Sequence, residues 1–318
     1  MRLLFITATR IGDAVLSTGV LEHFITQHPG LRVTVACGPV TASLFQAVPG
    51  LEAILPVRKR PGNLHWVKLW SQTVGHVWDQ VVDLRASVIG YLVPARQRLV
   101  GGGRAGKHHR VEELGALLGI DPPPAPTVWL AARHEAEAER LIPPGGPVVA
   151  IGPAANWIGK QWRSERFAKL VQGLTDTGGV LAGARVAVLA IERERPQAQP
   201  VIEALPAGRV IDLVGSRDLL TVAACLRRCR LYIGNDSGLM HLAAAAGVPT
   251  LGLFGPSPEW RYAPWGPHAA YVRTPESFAE LQARRDAMGE VRETMMGGLA
   301  VASVLEAAEA LLQRTETV

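Results

Sequence analysis

The chain has 318 residues, 48% of them apolar and 19% charged, with a net charge of +5 and a pI near 9.4. That length exceeds one ordinary domain, and the composition excludes disordered and fibrous proteins. No apolar run reaches the roughly 18 residues of a spanning helix, and Arg10 and Asp13 interrupt the opening apolar stretch, so the start reads as a first strand, not a secretion signal, in a protein of the cytoplasm.

In chain order, RLLFITA (2–8) reads as a strand, VLSTGVLEHFITQH (15–28) as a helix and RVTVACG (32–38) as a second strand. TASLFQAVP follows as a helix, AILPV as a strand, then a Trp-bearing helix and the strand WDQVVDLRA (78–86). The alternation breaks at the glycine-rich, basic LVGGGRAGKHHR, and DPPPAPTVWL and LIPPGGP bracket a short helix, RHEAEAERL. PVVAIGP (147–153) opens a second series with helices in ERFAKLVQGLTDTG, QPVIEAL and LLTVAACLRRC and strands in ARVAVLAI, VIDLVG, LYIGN and TLGLFG. The helix VASVLEAAEALLQR closes the chain. Strands joined by crossover helices imply parallel sheets. The expected architecture is α/β, with doubly wound domains at 1–144 and 145–318, a hinge near 135–146, and a ligand cleft at the carboxyl ends of both sheets. The last helix, about 301–315, is expected to return to the N-terminal domain.

Cys37, Cys225 and Cys229 form no CxxC pair, which argues against a disulfide framework and a zinc site. The positive charge calls for anionic company, but no basic run with interleaved aromatics marks nucleic acid as the partner.

The stretch GNDSGLMHLAAAAGVPTLGLFGP, 234–256, sets polar groups at the mouth of an alanine-lined helix. Asp236 or Ser237 is placed to cap that helix, Gly234 and Gly238 permit close approach to the backbone, and His241 follows one turn in. A helix start of this kind favours a phosphate. Read singly, these residues are only caps and an interior histidine; together at a strand end they point to a phosphate-bearing ligand.

This stretch resembles a signature of glycosyltransferase family 9, the ADP-heptose:lipopolysaccharide heptosyltransferases, and ITATRIGDAVLSTGVLEHF resembles that family's other signature. Weaker likenesses in VVDLRAS, GKQWRSERFAKL, VIDLVGSRDLLTVAACLRRC and MMGGLAVASVLEAAEALL extend the resemblance over nearly the whole chain. It implies a GT-B fold of two Rossmann-like domains facing an interdomain cleft. It also implies inverting sugar transfer from a nucleotide diphosphate, with ADP-heptose as donor and a lipopolysaccharide core as acceptor, without cofactor or metal. A nucleotide-sugar epimerase of the same fold and a non-catalytic nucleotide-sugar binder are the alternatives.

Asp13, between the first strand and its helix, is the carboxylate suited to take a proton from the attacking hydroxyl, the role the resemblance assigns to it; its plainer reading is a cap for helix 15–28. Lys160, in a loop after the first strand of the second domain, suits the leaving diphosphate, and the family has a similar K-x-W motif there. Asn156 is a neighbour in that loop, and Trp162 is expected to pack beneath it. By the resemblance Glu194 reaches the ribose, although LAIERERP lacks the family's glycine turn and leaves Glu192 as the rival; Val214, Gly215 and Ser216 line the base pocket. Arg10, Arg104, Lys107 and Arg110 are candidate contacts for an anionic acceptor.

GGGRAGKH matches G-x-x-x-x-G-K but ends in His108 where a P-loop needs Ser or Thr, so it reads as a basic loop. Trp66 and Trp70, spaced i, i+4, read first as core; with Lys68 they also suit contact with the cytoplasmic face of the inner membrane or a lipid-linked acceptor.

Overall fold

The computed structural model describes residues 1–59, 61–101, 106–215 and 217–316, which form two compact units, 1–131 and 132–318.

In the first unit, β1 (Arg2–Ile6) leads into α1 (Ile11–Leu16), α2 (Thr18–Gln27), β2 (Arg32–Cys37), β3 (Leu51–Pro56), α3 (Leu64–Thr73), β4 (Trp78–Asp83), α4 (Ile89–Leu92), β5 (Ala95–Val100) and α5 (Arg110–Leu118). The sheet is parallel throughout, in the order β3-β2-β1-β4-β5. Leu3 to Ile6 are all fully buried, as a central parallel strand covered on both faces requires. Leu4, Ile6, Ala36 and Val81 share one core with Leu69 of α3 and Ile89 of α4, which places these two helices on one face of the sheet.

The helix expected over 15–28 is two helices. The Ser17 hydroxyl donates to Ala14 O and the Thr18 hydroxyl to Val15 O, both at 2.7 Å, so side chains compete for helical carbonyls at the joint. The Thr18 hydroxyl also accepts from Thr127 N, and the carbonyl of Pro124 lies so close to Gly19 that a Cβ there would sit 2.2 Å from it.

The second unit runs through α6 (Ala132–Leu141), β6 (Val148–Gly152), α7 (Ser164–Thr175), β7 (Arg185–Val188), α8 (Arg195–Glu203), β8 (Val210–Asp212), α9 (Leu219–Arg227) and β9 (Leu231–Asn235). It continues with α10 (Gly238–Ala245), β10 (Thr250–Phe254), α11 (Glu259–Tyr262), β11 (Ala269–Arg273), α12 (Phe278–Met288) and α13 (Val301–Glu316). Its parallel sheet has the order β11-β10-β9-β6-β7-β8. The strand order reverses between β6 and β9, the place where doubly wound sheets open a crevice at their carboxyl ends.

Two expectations are corrected here. The division falls at 131/132 and not 144/145, because α6 packs on α9 and buries His134 and Ala138 within the second unit. The closing helix also belongs to that unit: Val304, Ala308, Leu311 and Leu312 of α13 enter its core beside α7 and β11, which uses up the apolar face expected to return to the N-terminal domain. Cys225 and Cys229 are buried as expected, and desolvation pushes their thiols up to about 11 and about 12, leaving them protonated and unreactive at neutral pH.

Candidate active site

Lys160 follows β6 and Asp236 follows β9, so the switch point brings together residues 76 apart in sequence. The Lys160 ammonium donates to Asp236 Oδ2 at 2.5 Å, and His241 Nε2 lies 4.0 Å from Asp236 Oδ1. The carboxylate thus stands between two basic groups at the amino end of α10. It is 7% exposed and the lysine side chain 27%, so the pair is poorly screened on one side and reachable by a ligand on the other.

The expectation that Asp236 or Ser237 caps α10 is corrected. Ser237 occupies the N-cap position, with φ −150° and ψ 170°, yet neither side chain makes the capping bond. Asp236 turns to Lys160 instead. The positive end of the helix dipole then acts on Lys160, Asp236 and whatever anion approaches them. Gly238 is the first helical residue and His241 is buried in the second turn.

The Lys160 loop is held from several sides. It is a bend followed by a 3₁₀ turn over Ile158–Lys160. Asn235, the last residue of β9, accepts from Trp162 N at 3.0 Å and donates to Pro153 O at 2.8 Å, clamping both ends of the loop. Gln161 donates to Ala155 O at 2.8 Å, Ala155 N to Gln197 Oε1 at 3.2 Å, and Met295 N to Gly159 O at 3.0 Å; the Thr294 hydroxyl donates to Gln161 O. Trp162 is buried beneath the loop as expected, with its ring edge-on to Phe167 and its indole N–H on Leu299 O. Asn156 is exposed on the bend.

Asn235 was not among the residues singled out from sequence, although its place beside Asp236 at a strand end was readable; nothing local marks Gln197 or Thr294. Asn235→Ala is expected to destabilise the unit by about 1–3 kcal/mol, because it strands a buried N–H and a buried carbonyl. Urea unfolding measures this, and donor affinity should fall with it as Lys160 loosens.

Beneath the site, Tyr232 is fully buried, and a Cβ on Gly152 or Gly234 would lie 2.1 or 2.4 Å from its hydroxyl. These paired glycines make room for the phenol at the ends of β6 and β9. Burial, with help from the negative charge of Glu194, raises the Tyr232 pKa and keeps the phenol neutral. Glu194 is half-buried in the turn after β7, where its Oε2 accepts from Ile191 N at 3.5 Å. Glu192 accepts from Arg195 Nε at 3.1 Å with Oε2 near Gly215; Arg195 also donates to Asp212 and Val214 O at the end of β8. Ser216 lies outside the described residues.

In the first unit the expected loop position of Asp13 is corrected: α1 begins at Ile11, so Asp13 stands in its first turn and is not a cap. It is half-buried, one short turn beyond the carboxyl end of β1, and β1 and β4 mark the strand-order reversal of this sheet. Asp83 closes β4, fully buried, accepting from Arg85 N, Ser87 N and, at 2.5 Å, the Ser87 hydroxyl. Its pKa is raised because desolvation outweighs these bonds.

Arg10 is exposed at the N-cap of α1, and Lys107 is exposed ahead of α5. Arg110 is corrected from a loop cation to the first residue of α5, turned inward onto Glu113 at 2.9 Å. Arg104 lies outside the described residues. His109 caps α5, accepting from Val111 N at 3.2 Å, which accounts for one histidine of the GKHH run without a metal. Among the described residues, no group of three or more His, Cys, Asp or Glu is placed to hold a metal ion.

The model of glycosyltransferase family 9 (heptosyltransferase) matches residues 109–291, more than half of the chain. The chain belongs to glycosyltransferase family 9. This family 9 glycosyltransferase is similar to lipooligosaccharide heptosyltransferase 2 of Haemophilus influenzae, 22% identical over 313 residues, with 86% of this chain and 88% of the relative covered. It is also similar to lipopolysaccharide heptosyltransferase 1 of Pseudomonas aeruginosa, 32% identical over 117 residues, covering 36% and 30% of the two chains. Among solved structures, a family 9 glycosyltransferase of Veillonella parvula superposes with a TM-score of 0.77 at 19% identity, covering 98% of this chain and 97% of the other. ADP-heptose lps heptosyltransferase II of E. coli gives 0.75 at 17%, covering 99% and 100%. At these identities the structures speak for the fold, which is GT-B.

Proposed function

We propose that this glycosyltransferase moves a heptose from ADP-heptose to a hydroxyl of a lipopolysaccharide-core or related lipid-linked saccharide, with inversion and without a metal. The observation that carries the reading is the Lys160–Asp236 pair at the switch point, at the mouth of α10, in a chain of this family. The two relatives named above are heptosyltransferases by name, and a further similar structure is E. coli heptosyltransferase WaaC with ADP, which supports an adenine nucleotide here.

In this mechanism Asp13 accepts the proton of the attacking hydroxyl as the oxygen bonds to the anomeric carbon. The bond from that carbon to the diphosphate oxygen breaks on the opposite face, and ADP leaves. Lys160 meets the charge that grows on the diphosphate, with the α10 amino end and Ser237, Gly238 and His241 around it. Asp236 holds the lysine in place. Glu194 takes the ribose hydroxyls, and Asn156 flanks the phosphates. Arg10 and Lys107 remain acceptor contacts. The reaction takes place in the cytoplasm, at the membrane face that carries the acceptor; among the described residues, no helix is long and apolar enough to cross a membrane.

Thermal stabilisation by nucleotides tests the donor. A ligand that binds only the folded state at a hundred times its Kd adds about 2.7 kcal/mol. ADP should raise the melting temperature by several degrees, well beyond UDP or GDP at equal concentration. Equal shifts from all three would remove the adenine assignment.

The epimerase alternative is not favoured: a UDP-GlcNAc 2-epimerase from Neisseria meningitidis superposes at a TM-score of only 0.50 with 12% identity.

A further inference from the structure

Seven of the fifteen exposed large hydrophobic residues among those described fall within 64–92, and six of them gather on two helices. Leu64, Val67 and Trp70 stand at i, i+3, i+6 along the outer face of α3, with Trp70 39% exposed. Val88, Tyr91 and Leu92, each more than half exposed, belong to α4 and its N-cap. The two helices pack together, and the Trp70 indole N–H points to Leu92 O at 3.4 Å, so the six form one patch. Isolated exposed apolar residues are ordinary, but a contiguous patch marks a binding surface.

The sequence that carries the two helices is rich in cations. Residues 53–78 and 84–111, which carry the patch, contain ten of the 33 Lys and Arg and none of the 28 Asp and Glu; Asp79 and Glu113, just outside these segments, pair with Arg96 and Arg110. Arg58 and Lys59 are exposed just before α3, Lys68 is exposed on it, and the Arg85 guanidinium sits 4.8 Å from the ring centre of Trp66. Trp66 itself packs into the core, so of the two tryptophans only Trp70 faces outward.

We infer that the outer face of α3 and α4 docks on an anionic lipid bilayer, with the six apolar side chains entering the interface and the flanking cations meeting the headgroups. An apolar ridge flanked by exposed cations matches a surface that is charged outside and apolar beneath. A nucleic acid would answer the charge but has no use for exposed Leu64, Val67 and Leu92.

The test is flotation of the full chain with vesicles of phosphatidylcholine alone and of phosphatidylcholine mixed with phosphatidylglycerol, at low and high salt. The expected result is binding to the mixed vesicles only, weakened by salt, and reduced about tenfold or more in Val67→Glu/Tyr91→Glu. Val67→Ser/Tyr91→Ser, which adds no charge, should show a smaller loss in the same direction. Both residues are exposed and belong to the first unit, while the Lys160–Asp236 site belongs to the second, so melting temperature and the ADP-induced shift should match the wild type. Failure of the wild type to float with anionic vesicles overturns the inference, as does undiminished binding by the glutamate variant. Patch-dependent dimers in sedimentation velocity, or displacement from vesicles by a short single-stranded oligonucleotide, would assign the face to another partner and overturn it too. Because flotation uses neither donor nor acceptor, its outcome is independent of the proposed reaction.

Discussion

Asp13→Asn should lower kcat for sugar transfer by about 10²–10⁴-fold, the range that a positioned general base contributes, while the ADP-induced rise in melting temperature stays unchanged. Asparagine keeps the volume of the side chain and its place in the first turn of α1, but it cannot accept the proton. The fold should survive, since removing a carboxylate from a helix N-terminus costs only about 0.3–1 kcal/mol. The split between turnover and nucleotide binding is the informative part. A protein that only binds nucleotide sugars would keep every measurable property, and a transferase with its base elsewhere would keep its rate. Transfer by the variant at near the original rate removes Asp13 from the mechanism.

The parts of this chain that could be read from sequence are those whose neighbours leave little choice. β1, β6, β9 and β10 lie inside their sheets, and each is short and predominantly apolar. Two of the four edge strands were different. β5 reads ARQRLV, with Arg96, Gln97 and Arg98 exposed, and β11 reads AAYVR with Tyr271 exposed; such strands carry no apolar run, and neither was expected. α6 announced itself by its helical period but not by its destination, because the partner that buries His134 is α9, far along the chain. The same holds for the site. Lys160 and Asp236 could each be picked from a loop, but their 2.5 Å contact depends on the strand order, which no local pattern encodes. The Asp236 cap was misjudged for the same reason: a side chain beside a helix start ordinarily bonds to the backbone, and here a lysine from another strand end outcompetes it.

That competition allows the role of Asp236 to be separated from that of Lys160. Lys160→Ala should reduce kcat/KM by about 10²–10³-fold, the usual cost of removing one preorganised group from developing negative charge. It should also destabilise the protein, because Asp236 keeps its buried charge without the ammonium. Fully buried pairs lose about 3–5 kcal/mol when one partner goes; with the lysine partly in solvent, about 1–3 kcal/mol is expected. Asp236→Asn alone should slow transfer by a smaller factor, since the ammonium stays but loses its anchor. The double variant carries the argument. If Asp236 acts only by holding Lys160, Lys160→Ala/Asp236→Asn will be as slow as Lys160→Ala and more stable than it, the unpaired charge having been removed. If Asp236 makes its own contact with the donor, the two rate losses will multiply. Single-turnover kinetics and urea unfolding on the four proteins read both quantities, and multiplying losses would show that the carboxylate touches substrate in its own right.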